Sequence, residues 1–419
     1  MPNQATSTLL TPVQPGERIE VMDVLRGFAL FGILLMNIEG FVGPLMASTT
    51  GTDPNLQGAN RAVDWLIYVL VQGKFMPLFS LLFGMGFALM MDRARQRGQD
   101  DTGVYVRRLL ALLGIGIVHA VLIWAGDVLV SYALLGFVML LLFRDTPASR
   151  LPIWAIACAT VMVGLILLLG LMMQFAGSVP EGEAMLDAQA RQAAATILAE
   201  RRAYGSGGYV DATLQRVHDT VEMLGALPIF GLLVLTMFLL GAWLVRAGIM
   251  RDTAAHASLF RKLLIVGLLV GLPMMLVSAI LHPTMDYARF GLGAAWWMSV
   301  AMVAGILMSL GYASAIVLAM QRPAWRAWLS WLAPAGRMAL TNYLAQSLVC
   351  TLLFYGYGLG FFERLPRVWQ PLFVVVLFAA QVVLSRWWLS RFRHGPVEWL
   401  WRWLTYGRRP EFRLAPAAA

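Results

Sequence analysis

Ten apolar blocks follow one another along this chain, at roughly 22–46, 65–91, 106–124, 127–143, 152–175, 224–246, 261–281, 291–320, 336–358 and 368–390. Each is near the ~20 residues that a helix needs to cross a bilayer. No other feature limits the fold as strongly. Composition agrees: 59% of the residues are hydrophobic, 13% are charged, and mean hydropathy is +0.70. A soluble domain holds roughly 45–50% apolar and ~25% charged residues. The expected fold class is all-α: a polytopic integral membrane helical bundle of about ten transmembrane helices plus a C-terminal interfacial helix.

The third and fourth blocks form one apolar run over 106–143. As a single helix this run is ~57 Å long, nearly twice the hydrocarbon thickness. Ala125-Gly126-Asp127 is the plausible break, so a tight hairpin is expected there. Basic residues then set the orientation. Arg93, Arg95, Arg97, Arg107 and Arg108 follow the second block. Arg144 and Arg150, then Arg246, Arg251, Arg261 and Lys262, then Arg322, Arg326 and Arg337 lie in later loops. Arg391, Arg393, Arg402, Arg408, Arg409 and Arg413 lie in the tail. Ten spans put every cluster on one side, with both termini cytoplasmic. The net charge of +9 therefore reads as a topology signal, not as nucleic-acid binding. Met1 to Gly16 is polar and Pro-containing, so the first apolar block reads as a retained span rather than a cleaved signal.

The expected organisation is a cytoplasmic N-terminal segment (1–21), an N-terminal membrane bundle (22–175), an extracytoplasmic loop (176–223), a C-terminal membrane bundle (224–390) and a cytoplasmic amphipathic tail (391–419). The middle of the outer loop, around 184–203, reads as helical, and Tyr204-Gly-Ser-Gly-Gly-Tyr209 breaks the helix. The loop is either a solvated connector or a lid over the outer mouth of the bundle. In the tail, Pro396 starts a helix in which Trp399 and Trp403 lie one turn apart, as in an interfacial anchor.

Polar groups inside spans are costly and become functional candidates, set against a packing or hydrogen-bonding role. Asp23 and Arg26 are spaced to pair. Arg26 and Asn37 are eleven apart and share a face, and Gly27 and Gly32 admit a close neighbour. Arg108 and His119 repeat the eleven-residue spacing, and Asp127 follows just past the hairpin, near enough to orient the imidazole. Arg337 and Thr341 form one polar edge; Asn342 and Gln346 form a second, with Gln381 and Ser385 on the next span. Two layers emerge. Arg26, Arg108 and Arg337 form a basic inner vestibule suited to phosphates or carboxylates. Asn37, His119 and Asp127 lie nearer the outer face, where a His suits proton transfer. Cys158 and Cys350 sit in separate apolar blocks, and no metal spacing or nucleotide-binding loop is present.

Arg18-Ile-Glu-Val-Met-Asp-Val-Leu-Arg-Gly-Phe-Ala-Leu-Phe-Gly-Ile-Leu-Leu-Met-Asn-Ile38 resembles the opening of the YeiB-type membrane proteins. Lys74-Phe-Met-Pro-Leu-Phe-Ser-Leu-Leu-Phe-Gly84, His119 with Trp124-Ala-Gly-Asp127, Gly336-Arg-Met-Ala-Leu-Thr-Asn-Tyr343, Phe354-Tyr-Gly-Tyr-Gly-Leu-Gly360 and His394-Gly-Pro-Val-Glu-Trp-Leu-Trp401 extend the resemblance over nearly the whole chain. More distantly, the chain is similar to transmembrane acyltransferases that move acyl groups from cytoplasmic acyl-CoA to extracytoplasmic sugars and share an early Leu-Arg-Gly helix. Many of those place a His eleven residues after that Arg; Asn37 stands there here, as in the heparan-glucosaminide acetyltransferase branch. Residues 40–75 hold no His, so the base role falls to His119.

The leading expectation is a bacterial inner-membrane acyltransferase. Arg26 and Arg108 would hold the CoA phosphates, with Arg337, Asn342 and Gln346 as further substrate contacts. His119 would be the general base, Asp127 its orienter, and Asn37 would polarise the thioester carbonyl. The alternative is a transporter or flippase of a small anionic or lipid-like solute. The expected partners are the lipid bilayer, acyl-CoA as donor substrate and a glycan or lipid acceptor, with a homodimer left open. No bound cofactor, metal or nucleic acid is expected.

Overall fold

The computed structural model describes residues 19–96, 102–285 and 290–414. The polar segment through Gly16 and Arg97 lie outside the described residues. Seventeen helices are described: α1 (Glu20–Val42), α2 (Gly58–Leu70), α3 (Phe75–Gln96), α4 (Thr102–Leu122), α5 (Leu129–Leu142), α6 (Leu151–Ala176), α7 (Pro180–Gly205), α8 (Tyr209–Gly225), α9 (Leu227–Arg246), α10 (Ala257–Val266), α11 (Leu272–Leu281), α12 (Leu292–Met320), α13 (Pro323–Leu329), α14 (Ala333–Arg337), α15 (Ala339–Phe354), α16 (Gln370–Leu389) and α17 (Pro396–Tyr406). Hydrocarbon offers the backbone no hydrogen-bond partner, so apolar blocks of this length close their bonds internally as helices.

Among the described residues, eight helical stretches are long and apolar enough to cross a bilayer, and the shorter apolar helices Leu129–Leu142 and Ala339–Phe354 occupy the two remaining expected spans. The chain is a multi-pass helical membrane protein. Large apolar side chains such as Leu141 and Phe175 point outward, 78% and 73% exposed, which suits a surface facing lipid rather than water.

Three expected spans carry breaks that hydropathy does not reveal. Within 65–91 the helix interrupts between α2 and α3. Gly73 there has φ +75°, and the buried Lys74 Nζ donates to the carbonyls of Tyr68 and Gln72 at 2.8 and 2.6 Å. Within 261–281 a π-helical turn, Gly267–Gly271, joins α10 to α11 just ahead of Pro273; proline supplies no N–H to the turn before it. Within 336–358 the break at Met338 separates α14 from α15.

The centre of the bundle is set by α3 against α9. A Cβ on Gly84 would lie 2.1 Å from the Phe238 carbonyl oxygen, and one on Gly241 would lie 2.0 Å from that of Leu81. The two backbones touch, the close packing that small residues permit between membrane helices.

The expected loop between the two bundles is a helical hairpin, α7 and α8, broken at Ser206–Gly208 as the glycines dictate. It lies against the C-terminal end of α4. The buried Arg216 donates to the carbonyls of Val121 and Ile123 at 3.0 and 3.1 Å, and the Tyr209 hydroxyl donates to that of Leu122 at 2.7 Å. Three carbonyls left unsatisfied by the end of α4 are thus capped from α8. Glu200 of α7 accepts from the Met46 backbone N–H at 3.0 Å. Burial, with Asp219 nearby, pushes its carboxyl up to about 8.

Candidate functional site

The hairpin expected at 125–127 is present. After Leu122 the helix ends, Trp124 folds back between Gly126 and Phe41, and α5 begins at Leu129. A Cβ on Gly126 would lie 2.3 Å from the Trp124 ring, so the turn closes only because residue 126 is glycine. This turn brings Asp127 onto the last turn of α4. His119 Nδ1 and Asp127 Oδ1 lie 2.8 Å apart, and both side chains are buried, at 1% and 2% exposure. The other carboxylate oxygen, Oδ2, accepts the Val130 backbone N–H at 2.7 Å, capping α5 and fixing the carboxylate's rotation.

With Nδ1–H donating to Asp127, the imidazole lone pair falls on Nε2. Nε2 is buried and has no hydrogen-bond partner among the described residues. An unpaired buried acceptor is costly and calls for an explanation; a proton-accepting site supplies one. The Tyr343 ring packs against the imidazole, centroids 5.1 Å apart, and its hydroxyl donates to the Gly126 carbonyl at 3.4 Å.

A cavity of about 340 Å³ approaches this pair from the opposite end of the bundle, within the size range of small-molecule sites. Along α3 its lining runs from Phe79 to Arg93, a rise of about 21 Å at ~1.5 Å per residue. Its polarity changes along that length. Phe79, Phe83, Ile33, Leu129 and Tyr132 line the end near the His119–Asp127 hairpin. Arg26, Arg93, Arg108, Arg337, Arg393 and Arg402 line the other, with Asp23 and Glu398 as the two carboxylates. Among the described residues, six arginines and two carboxylates make this the charged mouth of the cavity, over an apolar interior. Val128 and Tyr343 lie in its wall, beside Asp127 and His119 respectively, whereas His119 itself does not.

Local packing holds this mouth in shape. Gly27 and Gly336 let α14 lie directly on α1; a Cβ on Gly336 would lie 1.9 Å from the Asp23 carbonyl oxygen. Arg26 pairs with Asp23 at 2.9 Å. The Arg108 guanidinium lies 4.0 Å over the Trp401 ring, and Trp401 Nε1 donates to the Arg108 carbonyl at 2.9 Å. Glu398 accepts the Leu340 and Thr341 backbone N–H groups at 2.7 and 3.0 Å, capping α15 from another helix. Burial pushes the Glu398 carboxyl up, against the hydrogen bonds from Thr341 and Leu340. The amphipathic tail helix is therefore a wall of the cavity as well as an interfacial element; Trp403 and Leu404 are exposed on it.

The expected inner residues Arg26, Arg108 and Arg337 are brought together in the cavity. Three other expected site residues are placed elsewhere. Asn342 Nδ2 donates to Ser385 Oγ at 2.9 Å, and Gln346 Nε2 donates to Gln381 Oε1 at 2.8 Å. Both amides are committed to joining α15 to α16, and neither lines the cavity. Asn37 is half-buried on α1, outside the cavity wall and without a side-chain hydrogen bond to His119 or Asp127. Sequence reasoning missed Tyr343, Glu398 and Trp401 as site residues. Their signal lay in the Gly336–Tyr343 and His394–Trp401 stretches, which mark the resemblance without assigning roles. It also missed Arg367, which is buried and bonds Asp64 at 2.8 Å and Glu39 at 2.9 Å.

Comparison with known proteins places this geometry in context. Residues 244–408 match the family described as protein of unknown function (DUF418). The chain is similar to the uncharacterized protein YxaH of Bacillus subtilis (strain 168), 35% identical over 95% of this chain and 96% of the relative. It is also similar to the uncharacterized protein YeiB of Escherichia coli (strain K12), 34% identical over 93% and 96%. An uncharacterized 39.9 kDa protein of Bacillus acidopullulyticus is 28% identical over 96% of this chain and 97% of its own length.

Proposed function

We propose, from the premise that this chain belongs to the YeiB-type family of membrane proteins, that it is an acyltransferase of the bacterial inner membrane using cytoplasmic acyl-CoA. One observation carries the reading: a cavity with an arginine-lined mouth and an apolar interior ends at the turn that holds a buried His–Asp pair. The phosphates of CoA match the arginines, which bind such groups bidentately. The pantetheine and acyl parts match the apolar interior.

In the proposed step His119 Nε2 takes the proton of an acceptor hydroxyl as its oxygen attacks the thioester carbonyl. The C–S bond then breaks, and the imidazolium returns the proton to the CoA thiolate. Asp127 holds the ring in the required tautomer and stabilises the imidazolium. The arginine end faces the cytoplasm in this reading, and the α7–α8 hairpin covers the outer end. An engineered Cys at Gly205 should react with an impermeant thiol reagent added outside; one at Gln96 should not.

The test uses membrane vesicles from cells expressing the full chain, supplied with radiolabelled acetyl-CoA or palmitoyl-CoA. Label should pass into the lipid or glycan fraction, and loss of the chain should abolish this. A second reading, a transporter of an anionic or lipid-like solute, draws on the same cavity, with its arginine end and apolar interior, as a solute pathway through the bundle. Solute uptake by proteoliposomes lacking acyl-CoA, with no label transfer in vesicles, would favour it.

A further inference from the structure

Among the described residues, Tyr343 is the ring set against both the imidazole and the cavity. It packs 5.1 Å from His119, centroid to centroid, and lies in the cavity wall, whereas His119 is 1% exposed and outside that wall. We propose that the Tyr343 ring is the partition between the cavity and His119 Nε2, so that a ligand reaches the imidazole only when this ring swings aside. The inference rests on the cavity and the His–Asp pair of the proposed reading, but not on acyl transfer itself.

The surroundings fit a partition that admits one kind of group. The wall on the cavity side near Tyr343 is Val128, Leu129, Tyr132 and Phe79, with no charged side chain among them. The arginines lie farther along: Arg26 is about 10 Å from Ile33 along α1, and Arg93 is about 21 Å from Phe79 along α3, by helical rise. A ligand lying in the cavity therefore keeps its anionic end among the arginines and presents its uncharged end to Tyr343. Such a ligand is an amphiphilic anion led by an apolar or neutral group. Closed, the ring keeps water from a base that works in a dry site.

The residue is anchored so that its side chain moves while its backbone stays. Glu398 caps the start of α15 one turn earlier. The Tyr343 hydroxyl, by contrast, is held to Gly126 by a bond of only 3.4 Å, at the weak end of the hydrogen-bond range. Swinging the ring breaks this long hydrogen bond and the ring's packing against His119 and its apolar neighbours, and leaves the helix cap intact.

Carbethoxylation of histidines in the purified full chain, read by peptide mass spectrometry without any acyl-CoA, tests this. His394 lines the cavity and reports that the reagent has entered. In the wild type His394 should react and His119 should be slower by on the order of 10–10³-fold, the protection given by an open state populated at ~0.1–10%. Tyr343→Ala should bring His119 near the rate of His394; Tyr343→Phe, which keeps the ring, should stay protected. Tyr343→Leu serves in the same way if the alanine variant does not fold. The proposal is overturned if a folded Tyr343→Ala or Tyr343→Leu protein labels at His394 while His119 stays as slow as in the wild type. It is equally overturned if wild-type His119 reacts as fast as His394. Neither outcome depends on acyl transfer, so failure of the partition and failure of the acyltransferase reading are told apart.

Discussion

His119 and Asp127, eight residues apart in the chain, meet nitrogen to oxygen at 2.8 Å because the turn between α4 and α5 folds the second helix back on the first. The pair is buried, and its carboxylate is also held by the Val130 N–H. Asp127→Asn retains a group able to cap α5 but loses the charge that orients and stabilises the imidazolium. Acyl transfer should fall, by less than on removal of the imidazole, while thermal stability stays near the wild type. Asp127→Ala should lose the cap as well, about 1 kcal/mol of stability. A thermal melt beside the transfer rate separates the two effects.

Arg26 and Arg408 make a matched pair for the cavity. Arg26 lies in its wall at 31% side-chain exposure and pairs with Asp23, whereas Arg408 is exposed on the tail and outside the wall. Arg26→Ala should weaken acyl-CoA binding by roughly 10-fold or more, the size of a charge-assisted hydrogen bond of ~1.5–3 kcal/mol. Arg408→Ala should leave it unchanged. Equal affinities in a titration of the two purified variants would remove the arginine mouth from the account.

Arg367 ties α1 and α2 to the start of α16. Its guanidinium holds Asp64 at 2.8 Å and Glu39 at 2.9 Å in a region where Arg367 and Asp64 are 6% and 2% exposed. Arg367→Ala leaves two carboxylates without their cation, a change that costs about 3–5 kcal/mol when a buried pair is broken. The melting temperature should fall sharply, and replacing Asp64 by Asn in the same chain should recover part of the loss.

Docking of the α7–α8 hairpin should depend on pH through Glu200. Its carboxyl is pushed from the ordinary 4.5 to about 8 by burial beside Asp219. An acid with a higher pKa in the docked state holds its proton more tightly there. Its contribution to docking is therefore full below about 4.5 and is lost as the pH rises through about 8. Hydrogen exchange in α7 should speed up between about pH 4.5 and 8, beyond the intrinsic rise with pH. Glu200→Gln, neutral throughout, should flatten the excess. An excess unchanged in that variant would assign the opening to another group.

Much of this fold was legible because a bilayer imposes one length and one backbone solution on every span. The hairpin at 125–127 followed from geometry alone, since a helix through 106–143 is too long, and Gly126 marks the one place that closes. The convergence of Arg26, Arg108 and Arg337 followed from their shared end of alternating spans. What stayed hidden has a common cause: partners distant in sequence. The sequence already sets Asn342 and Gln346 beside Gln381 and Ser385 of the next span as hydrogen-bonding candidates, but spacing alone does not pair Asn342 with Ser385 and Gln346 with Gln381, so amides that knit two helices also read as candidates for substrate. Arg367 stands 303 residues from Asp64 and farther still from Glu39, and each alone reads as an end-of-helix charge. The break between α2 and α3 is held by Lys74 donating to backbone carbonyls, a use of lysine that hydropathy scores as a span residue.

The central claim is that His119 Nε2 is the base at the end of the arginine-lined cavity. The most direct test is label transfer from radiolabelled acyl-CoA in vesicles carrying wild type or His119→Ala at matched, folded levels. Loss of a positioned base predicts a fall of ~10²–10⁴-fold in rate, with acyl-CoA binding retained, because the arginines are untouched. A folded His119→Ala chain that transfers label at the wild-type rate would contradict the account and leave the imidazole a packing role against Tyr343.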